Sequence, residues 1–369
     1  MLVVAACGLP QVEAEDRLFL PVTVDLLDRY SLPQQDFQAT TVAGLSALTY
    51  DSRRDRFYAL SDDRGEFGPS RFYELAITWR SDQAQQPRFD GVKITDVTSL
   101  KNSQGNPYSS GSLDPEGMAL SSPGHLFISS EGDGRRNAPP LIGEFDRGTG
   151  QILRSLPLPQ RFLPDRPTAP TRGVRNNLSF EALTINPPAS PANGREPFRL
   201  FAMTESALAQ DYEDDPARPL YSRFLHYLIS PDQVSLIAEH AYPLDLEPTG
   251  AIVHGISELI AVDQGGHFLA LERSYGLRGF AVKLYQLATG GATDTTNRPT
   301  LAGNLEGVTP IRKRLVFDFA KAPFASGNLE AMTLGPRFED GSQSLILATD
   351  NNFQSGTETQ LILLRLHLN

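Results

Sequence analysis

Serine and glutamate side chains recur at one position of a short pattern that the chain repeats five times. The pattern is an apolar residue or proline, then Ser or Glu, one intervening residue, Leu or Met, and a small or apolar residue. It occupies residues 45–49, 115–119, 180–184, 256–260 and 329–333. Its second position, here named the ring position, holds Ser46, Glu116, Glu181, Ser257 and Glu330.

Oxygen-bearing side chains, with no His or Cys among them, suit a hard cation. Ca²⁺ takes about six to eight oxygen ligands and is the best match, and Mg²⁺ is the weaker alternative. We therefore predict that the five ring residues bind calcium. The competing interpretation is that they only bond neighbouring backbone groups and water in a polar channel.

An acidic residue ends the apolar segment that follows each copy of the pattern. These residues are Asp62, Glu131, Glu205, Glu272 and Asp350. A carboxylate beside a metal and its water can act as a general base, so each is a candidate catalytic group. Acids at strand ends also make turns, which is the alternative role for this set.

Arginines lie close to these acids in the sequence. Arg64 is part of Ser-Asp-Asp-Arg-Gly at residues 61–65, Arg135 follows Glu131, and Arg273 comes directly after Glu272. A guanidinium group can bind phosphate through two parallel hydrogen bonds, so we predict that these arginines bind substrate. The alternative is that they pair with the neighbouring acids.

The spacing of the ring positions indicates the fold that must hold them. They lie 65 to 76 residues apart, and each begins a unit of an inner strand, an apolar second strand and an alternating third strand. Four of the units also have a fourth strand, and four antiparallel strands per repeat are typical of a β-propeller. We predict an all-β protein with five blades, in which residues 18–27 pair with residues 360–366 and supply the missing strand of the last blade.

A propeller would bring the polar sets together. The first strand of each blade lines the central channel, and each hairpin places the end of strand two beside the start of strand one. The ring residues and the strand-end acids would then share one channel mouth. Three converging glutamates repel one another and require protons or a cation.

Composition excludes several other classes of protein. The 369 residues carry a formal net charge of −11 and show no run of Lys or Arg, which argues against nucleic-acid binding. No apolar stretch reaches the roughly 18 residues of a membrane-spanning helix. Three polar or proline-rich insertions, at residues 157–177, 210–219 and 288–310, are predicted to be surface loops.

The single cysteine, Cys7, follows Val-Ala-Ala and precedes a glycine, as in a bacterial lipobox. Residues 1–16 then form a truncated signal and tether, and residues 17–369 form the propeller. The six residues before Cys7 are too few for a signal peptide, so we expect further coding sequence upstream. This interpretation predicts a lipid anchor at Cys7 and a periplasmic or extracellular location. The alternative is an incidental free thiol in a cytosolic protein.

Several motifs carry a family resemblance. The Glu-Gly-Met and Glu-Ala-Leu inner strands, the Ser-Asp-Asp-Arg-Gly of residues 61–65 and the Asn-Leu-Glu-Ala-Met of residues 328–332 resemble the "esterase-like activity of phytase" family over residues 40–366. The resemblance implies hydrolysis of phosphoric or carboxylic esters. The order Ser, Glu, Glu, Ser, Glu also resembles the five-bladed calcium-dependent apyrases, which implies a central calcium on the five ring residues.

Two functions therefore compete. The first is a secreted or lipid-anchored, metal-dependent hydrolase of a small, phosphorylated substrate. The second is a non-catalytic propeller with a structural calcium, which binds a ligand or an envelope partner. Propellers host both functions, so fold alone does not choose between them.

Overall fold

A computed structural model describes residues 18–136, 138–187 and 196–368. Cys7, and with it the predicted anchor and the domain boundary after residue 16, lies outside the described residues. Within them, no helix has the length and apolar character of a membrane span. Apart from a few short 3₁₀ turns, the regular secondary structure of the described chain is all β-strand.

The strands form five four-stranded antiparallel sheets, which are the blades. A strand β1 (Val22–Leu32) and a small hairpin of β2 (Gln35–Phe37) and β3 (Thr40–Val42) come first. Blade one is β4 (Leu45–Asp51), β5 (Arg56–Ser61), β6 (Arg71–Ser81) and β7 (Pro87–Ser99). Blade two is β8 (Pro115–Leu120), β9 (Leu126–Ser130), β10 (Leu141–Phe145) and β11 (Ile152–Ser155).

The remaining three blades follow in chain order. Blade three is β12 (Phe180–Ile185), β13 (Phe198–Thr204), β14 (Tyr221–Ile229) and β15 (Val234–Pro243). Blade four is β16 (Ala251–Ala261), β17 (His267–Gly276), β18 (Gly279–Ala288) and β19 (Arg312–Asp318). Blade five is β20 (Asn328–Arg337), β21 (Gln343–Asp350) and β22 (Thr359–Leu368), with β1 as its fourth strand.

The N-terminal strand closes the ring, as the sequence predicted. β1 pairs antiparallel with β22, from Val22 opposite Leu368 to Leu32 opposite Thr359. The strand lies about five residues further along the chain than the predicted segment 18–27, while its partner segment is the predicted one. Five blades of four antiparallel strands are confirmed.

Hydrophobic side chains form five clusters, one at each interface between neighbouring blades. Phe127 of blade two and Phe180 of blade three share one cluster, and Leu48 of blade one and Ile346 of blade five share another. The other three clusters join the remaining pairs of adjacent blades. Burial of apolar surface between blades therefore replaces a single large core and fixes the inner strands around the channel.

Candidate functional site

Every inner strand carries a β-bulge at its ring position. In β4 the register with β5 shifts between Leu45 and Ala47, which leaves Ser46 as the extra residue. The same shift occurs at the ring position of each of the other inner strands. A bulge inserts one unpaired residue and re-aims its side chain. The recurring sequence position is thus a recurring backbone irregularity.

The register also defines a second column of residues, one on each second strand. In blades one to three the backbone N–H of an acid donates to the carbonyl of the residue two before the ring position, as Glu131 does to Asp114 at 3.0 Å. In blades four and five the same pairing joins Gly255 to Arg273 and Asn328 to Asp350. The column, here named the outer column, consists of Asp62, Glu131, Glu205, Arg273 and Asp350.

Glu272 does not belong to this column, contrary to its place in the sequence pattern. It pairs with Ile256 and points away from the other four acids, because neighbouring residues of a strand face opposite sides. Its carboxylate accepts hydrogen bonds from the Tyr242 hydroxyl at 2.9 Å and from Lys313 Nζ at 2.7 Å. Glu272 is therefore part of an ion-pair network between blades three and four, and Arg273 takes the position that it was expected to fill.

One cavity of about 870 Å³, here named the main cavity, opens over the channel mouth and forms the channel site. Its lining includes five of the predicted acids, namely Asp62, Glu116, Glu181, Glu330 and Asp350. Arg64, Arg273 and Asn177 line it as well. The structure thus brings together ring or outer-column residues from all five blades, with Arg273 as the contribution of blade four.

Among the described residues, two groups of carboxylates could hold a metal ion, and they share one residue. Asp114, Glu116 and Glu131 offer oxygen atoms that all lie within 4.8 Å of one another. Glu131, Glu181 and Glu205 form the second group by the same measure. These five residues, here named the carboxylate cluster, are buried and belong to blades two and three. The cluster lies to one side of the five-fold ring that the sequence suggested.

The cluster and its neighbours hold more negative charge than the nearby arginines neutralise. The set comprises Asp62, Asp114, Glu116, Glu131, Glu181, Glu205, Glu330 and Asp350. Among the described residues, arginine ion pairs reach three of these acids. Arg64 Nε donates to Asp114 at 2.7 Å, and Arg273 pairs with both Glu205 and Glu330.

The predicted substrate arginines are placed differently from one another. Arg64 lines the main cavity while it pairs with Asp114. Arg273 is buried and donates to Glu205 Oε1 at 2.9 Å, to Asn328 Oδ1 at 2.6 Å and to Glu330. Arg135 is exposed and lines a smaller cavity of about 110 Å³ beside Glu131. Arg64 and Arg273 therefore both pair with acids, which was the alternative role, and Arg273, with two buried acid partners, acts as an internal counter-charge.

Burial and mutual repulsion raise the pKa of several of these acids. Burial, followed by the charge of Glu330, raises the pKa of Asp350 to about 7. Burial also raises the pKa of Asp114 to about 6, against the opposing pull of Arg64. The pKa is also raised for four further acids. In each of them burial is the largest cause and repulsion by a neighbouring carboxylate is the second: Asp62, Glu116, Glu131 and Glu181. The site holds protons near neutral pH unless a cation replaces them.

The two ring serines make structural hydrogen bonds to the next blade. Ser46 Oγ donates to the carbonyl of Glu116 at 3.0 Å, and Ser257 Oγ donates to the carbonyl of Leu329 at 3.0 Å. These contacts match the alternative interpretation, in which ring residues bond neighbouring backbone groups. The carboxylates that could hold a metal instead come from blades two and three, which are neighbours and both have a glutamate at the ring position.

Comparison with known proteins identifies the family of the chain. A family model described as "Phytase-like: Esterase-like activity of phytase" matches residues 40–353. The chain belongs to this phytase-like family. No curated protein matches its sequence.

Solved structures resemble the phytase-like propeller only distantly. An endo-arabinase from Bacteroides thetaiotaomicron is 10% identical, with 87% of this chain and 93% of that chain covered and a TM-score of 0.42. An α-L-arabinofuranosidase from Podospora anserina is 9% identical, with 93% and 96% covered and a TM-score of 0.40. These values carry no argument about activity.

Three residues of the phytase-like site were missed by the sequence interpretation. Asp114 and Asn328 lie two residues before a ring position, in a column whose other members are Gly44, Ser179 and Gly255. That column could have been recognised in the sequence, because its members all lie two residues before a ring position. Glu258 directly follows a ring position, where three other blades have alanine and one has glycine.

Glu258 is fully buried between the inner strands. Its carboxylate accepts the backbone N–H of Leu259 at 2.9 Å and also those of Leu183 and Met332 on the two flanking inner strands. Burial nevertheless raises its pKa well above the usual range. Glu258 thus bonds three neighbouring blades at their common centre.

Proposed function

We propose that this phytase-like propeller is a calcium-dependent hydrolase of phosphoric or carboxylic esters, with the cation held by the carboxylate cluster. The observation that carries the proposal is the excess of buried carboxylates. Of the five cluster residues, Asp114 and Glu205 have an arginine partner among the described residues, and Glu116, Glu131 and Glu181 have none. A divalent cation supplies the missing positive charge.

Unpartnered oxygens in the cluster support this fit. Asp114 Oδ2, Glu131 Oε2 and Glu205 Oε2 are buried and have no hydrogen-bond partner in the described part of the chain. A buried polar atom without a partner is costly, so a native site normally satisfies it. All ligands on offer are oxygens, which favours Ca²⁺, with Mg²⁺ as the weaker choice because it demands a stricter octahedral arrangement.

A calcium ion bound there would polarise a phosphoryl or carbonyl oxygen of the substrate. Arg64 presents its guanidinium to the same cavity and would orient an anionic group. In the hydrolysis, a water oxygen forms the new bond to phosphorus or to the acyl carbon, and the ester oxygen leaves with a proton.

Asp350 is the residue that we assign to proton transfer. It lines the cavity, and its raised pKa of about 7 suits a group that exchanges protons near neutral pH. Backbone N–H of Asn352 donates to its Oδ1 at 2.8 Å, and the Asn328 amide lies 3.3 Å from its Oδ2. These contacts fix the orientation of the carboxylate.

The cavity supports a small-molecule substrate. Its volume of about 870 Å³ lies within the range of roughly 300 to 1,000 Å³ that is common for small-molecule sites. Acidic walls would repel a free phosphate, so the bound cation and Arg64 are both needed to admit a phosphorylated substrate.

A panel of phosphate monoesters, phosphodiesters and carboxylic esters, assayed with purified protein in calcium and in EDTA, tests this function. We expect hydrolysis of at least one class in calcium and its loss in EDTA. Asp350→Asn should lower kcat by about 10²-fold or more while calcium affinity is retained. Asp90→Asn, at an exposed position of β7, is the matched control and should leave kcat unchanged. If no substrate turns over although calcium binds, the propeller is a non-catalytic binding protein.

The lipid anchor is a separate proposal and rests on the residues around Cys7 alone. Expression from the native upstream start should give a membrane-associated product that incorporates a fatty-acid probe, and Cys7→Ser should abolish the labelling. A soluble, unlabelled product from the same start would disprove the anchor.

A further inference from the structure

A second cavity, of about 580 Å³, lies at the outer rim of blade three. All three insertions that interrupt the repeat contribute to it. The first insertion supplies Arg161 and Arg172, the second supplies Gln210, and the third supplies residues 296–300, which include Arg298. We name this cavity the rim pocket.

Hydrogen bonds between the insertions fix the rim pocket. The Gln210 side chain donates to the carbonyl of Arg161 at 3.1 Å and accepts the backbone N–H of Gly173 at 2.9 Å. Its backbone carbonyl accepts the Thr300 hydroxyl at 2.6 Å. Residue Gln210 therefore ties the first and third insertions together, and the pocket is formed before any ligand arrives.

A buried ion-pair network supports the floor of the pocket. Glu239 of β15 pairs with Arg161 at 2.7 Å and with Arg223, and Arg223 also pairs with Asp211 at 2.6 Å. Two arginines and two acids balance in this network. The third insertion adds to it, because Thr295 N–H donates to the carbonyl of Glu239 at 2.7 Å.

The pocket itself carries uncompensated positive charge. Within the part of the chain that the structure describes, its lining contains three arginines and no carboxylate. Among the described residues, no acid lies within ion-pair distance of Arg172 or Arg298, although Arg298 donates to the carbonyl of Glu306 at 2.9 Å. Two unpaired guanidinium groups in one preformed pocket stand out in a protein with a net charge of −11.

We infer that the rim pocket binds a small molecule with two or more closely spaced anionic groups, such as phosphates. Arginine presents planar, bidentate donors that match phosphate and carboxylate, and it stays charged at all working pH values. The Asn297 amide adds a neutral donor to the lining. The pocket is large enough for a small ligand.

The rim pocket is distinct from the channel site. It lies beside β15, the outermost strand of blade three, whereas β12 lines the channel. Three strand spacings of about 4.8 Å separate these two strands, which is roughly 14 Å. No lining residue is common to the rim pocket and the main cavity. This inference therefore does not depend on the proposed hydrolase activity.

Titration calorimetry with sodium pyrophosphate, in buffer freed of metals by a chelating resin, tests the inference. We expect saturable binding that weakens with added NaCl. Arg172→Ala and Arg298→Ala should each lower the affinity about tenfold, and the double variant more. Arg80→Ala, an exposed arginine of blade one, is the matched control and should bind as the unmodified chain does.

Further measurements identify the type of anion that binds, locate its site and verify that the variants fold. Citrate in place of pyrophosphate tells whether the pocket takes carboxylates as well as phosphates. Glu181→Gln should leave pyrophosphate binding unchanged if the ligand sits at the rim, and should alter it if the ligand sits in the channel. Equal melting temperatures of the arginine variants and the unmodified chain verify the fold. No binding at millimolar pyrophosphate, or equal binding by the double variant, would overturn the inference.

Discussion

Arg273→Met is expected to lower the free energy of unfolding by about 3 to 5 kcal/mol in metal-free buffer. The guanidinium is buried and donates to Glu205, Glu330 and Asn328, and its pKa is raised by those neighbouring carboxylates. Methionine fills similar space but leaves two buried carboxylates without a positive partner. Breaking a buried ion pair from one side is costly for this reason.

Urea unfolding at neutral pH measures this loss. Arg88→Met is the matched control, because Arg88 pairs with Asp82 at 2.6 Å but remains partly exposed, so it should lower the stability far less than Arg273→Met does. Calcium should restore part of the stability of Arg273→Met, since a bound cation would offset the negative charge that the substitution leaves unpaired. A loss of less than 1 kcal/mol for Arg273→Met would contradict its role as the internal counter-charge.

Calcium is expected to raise the melting temperature, and to raise it more at pH 8 than at pH 5.5. At a free calcium concentration about 100 times the dissociation constant, binding to the folded state alone adds about 2.7 kcal/mol. For a chain of this length that corresponds to a shift of about 4 °C. Protons compete with the cation for the same oxygens, so the gain grows as the site deprotonates.

The metal-free protein should show the opposite trend with pH. Asp114 and Asp350 have folded-state pKa values of about 6 and about 7, above the usual value for aspartate. The folded state therefore binds more protons than the unfolded state between about pH 4 and pH 7, and its stability falls as pH rises through that window. Thermal scans at pH 5.5 and pH 8, with and without calcium, measure both trends. Equal melting curves with and without calcium at pH 8 would contradict the proposed site.

The fold was predictable because each blade repeats the same local pattern. Spacing and strand alternation gave the five blades, and the missing fourth strand of blade five identified the closing segment near the N-terminus. The ring position was also recognisable in the sequence, but the β-bulge that lies at each ring position was not. A β-bulge is a register shift between two strands, and one strand read alone does not reveal it.

The site was predictable in part, and the error at Glu272 shows why. In blade four the second strand continues to Gly276, so Leu-Glu-Arg places an acid one residue before the position that acids hold elsewhere. One residue along a strand reverses the face of the sheet. Alignment on Gly255, two residues before the ring position, would have selected Arg273 instead.

Two further features depend on tertiary structure. The carboxylate cluster is asymmetric because Asp114, Glu116 and Glu131 of blade two pack against Glu181 and Glu205 of blade three, while Arg273 of blade four pairs with Glu330 of blade five. The rim pocket depends on three loops that are far apart in sequence, and no local pattern foretells that they meet. Loop positions follow from the packing of the blades that they connect.

Calcium titration calorimetry on three proteins tests the carboxylate cluster most directly. The unmodified chain should bind calcium, and Glu131→Gln should weaken the affinity about tenfold or more, because Glu131 belongs to both carboxylate groups. Glu272→Gln removes the same charge from the same region but lies outside the cluster, so it should bind calcium as the unmodified chain does. Absence of calcium binding at millimolar concentration, or equal affinities of the Glu131 and Glu272 variants, would contradict the account.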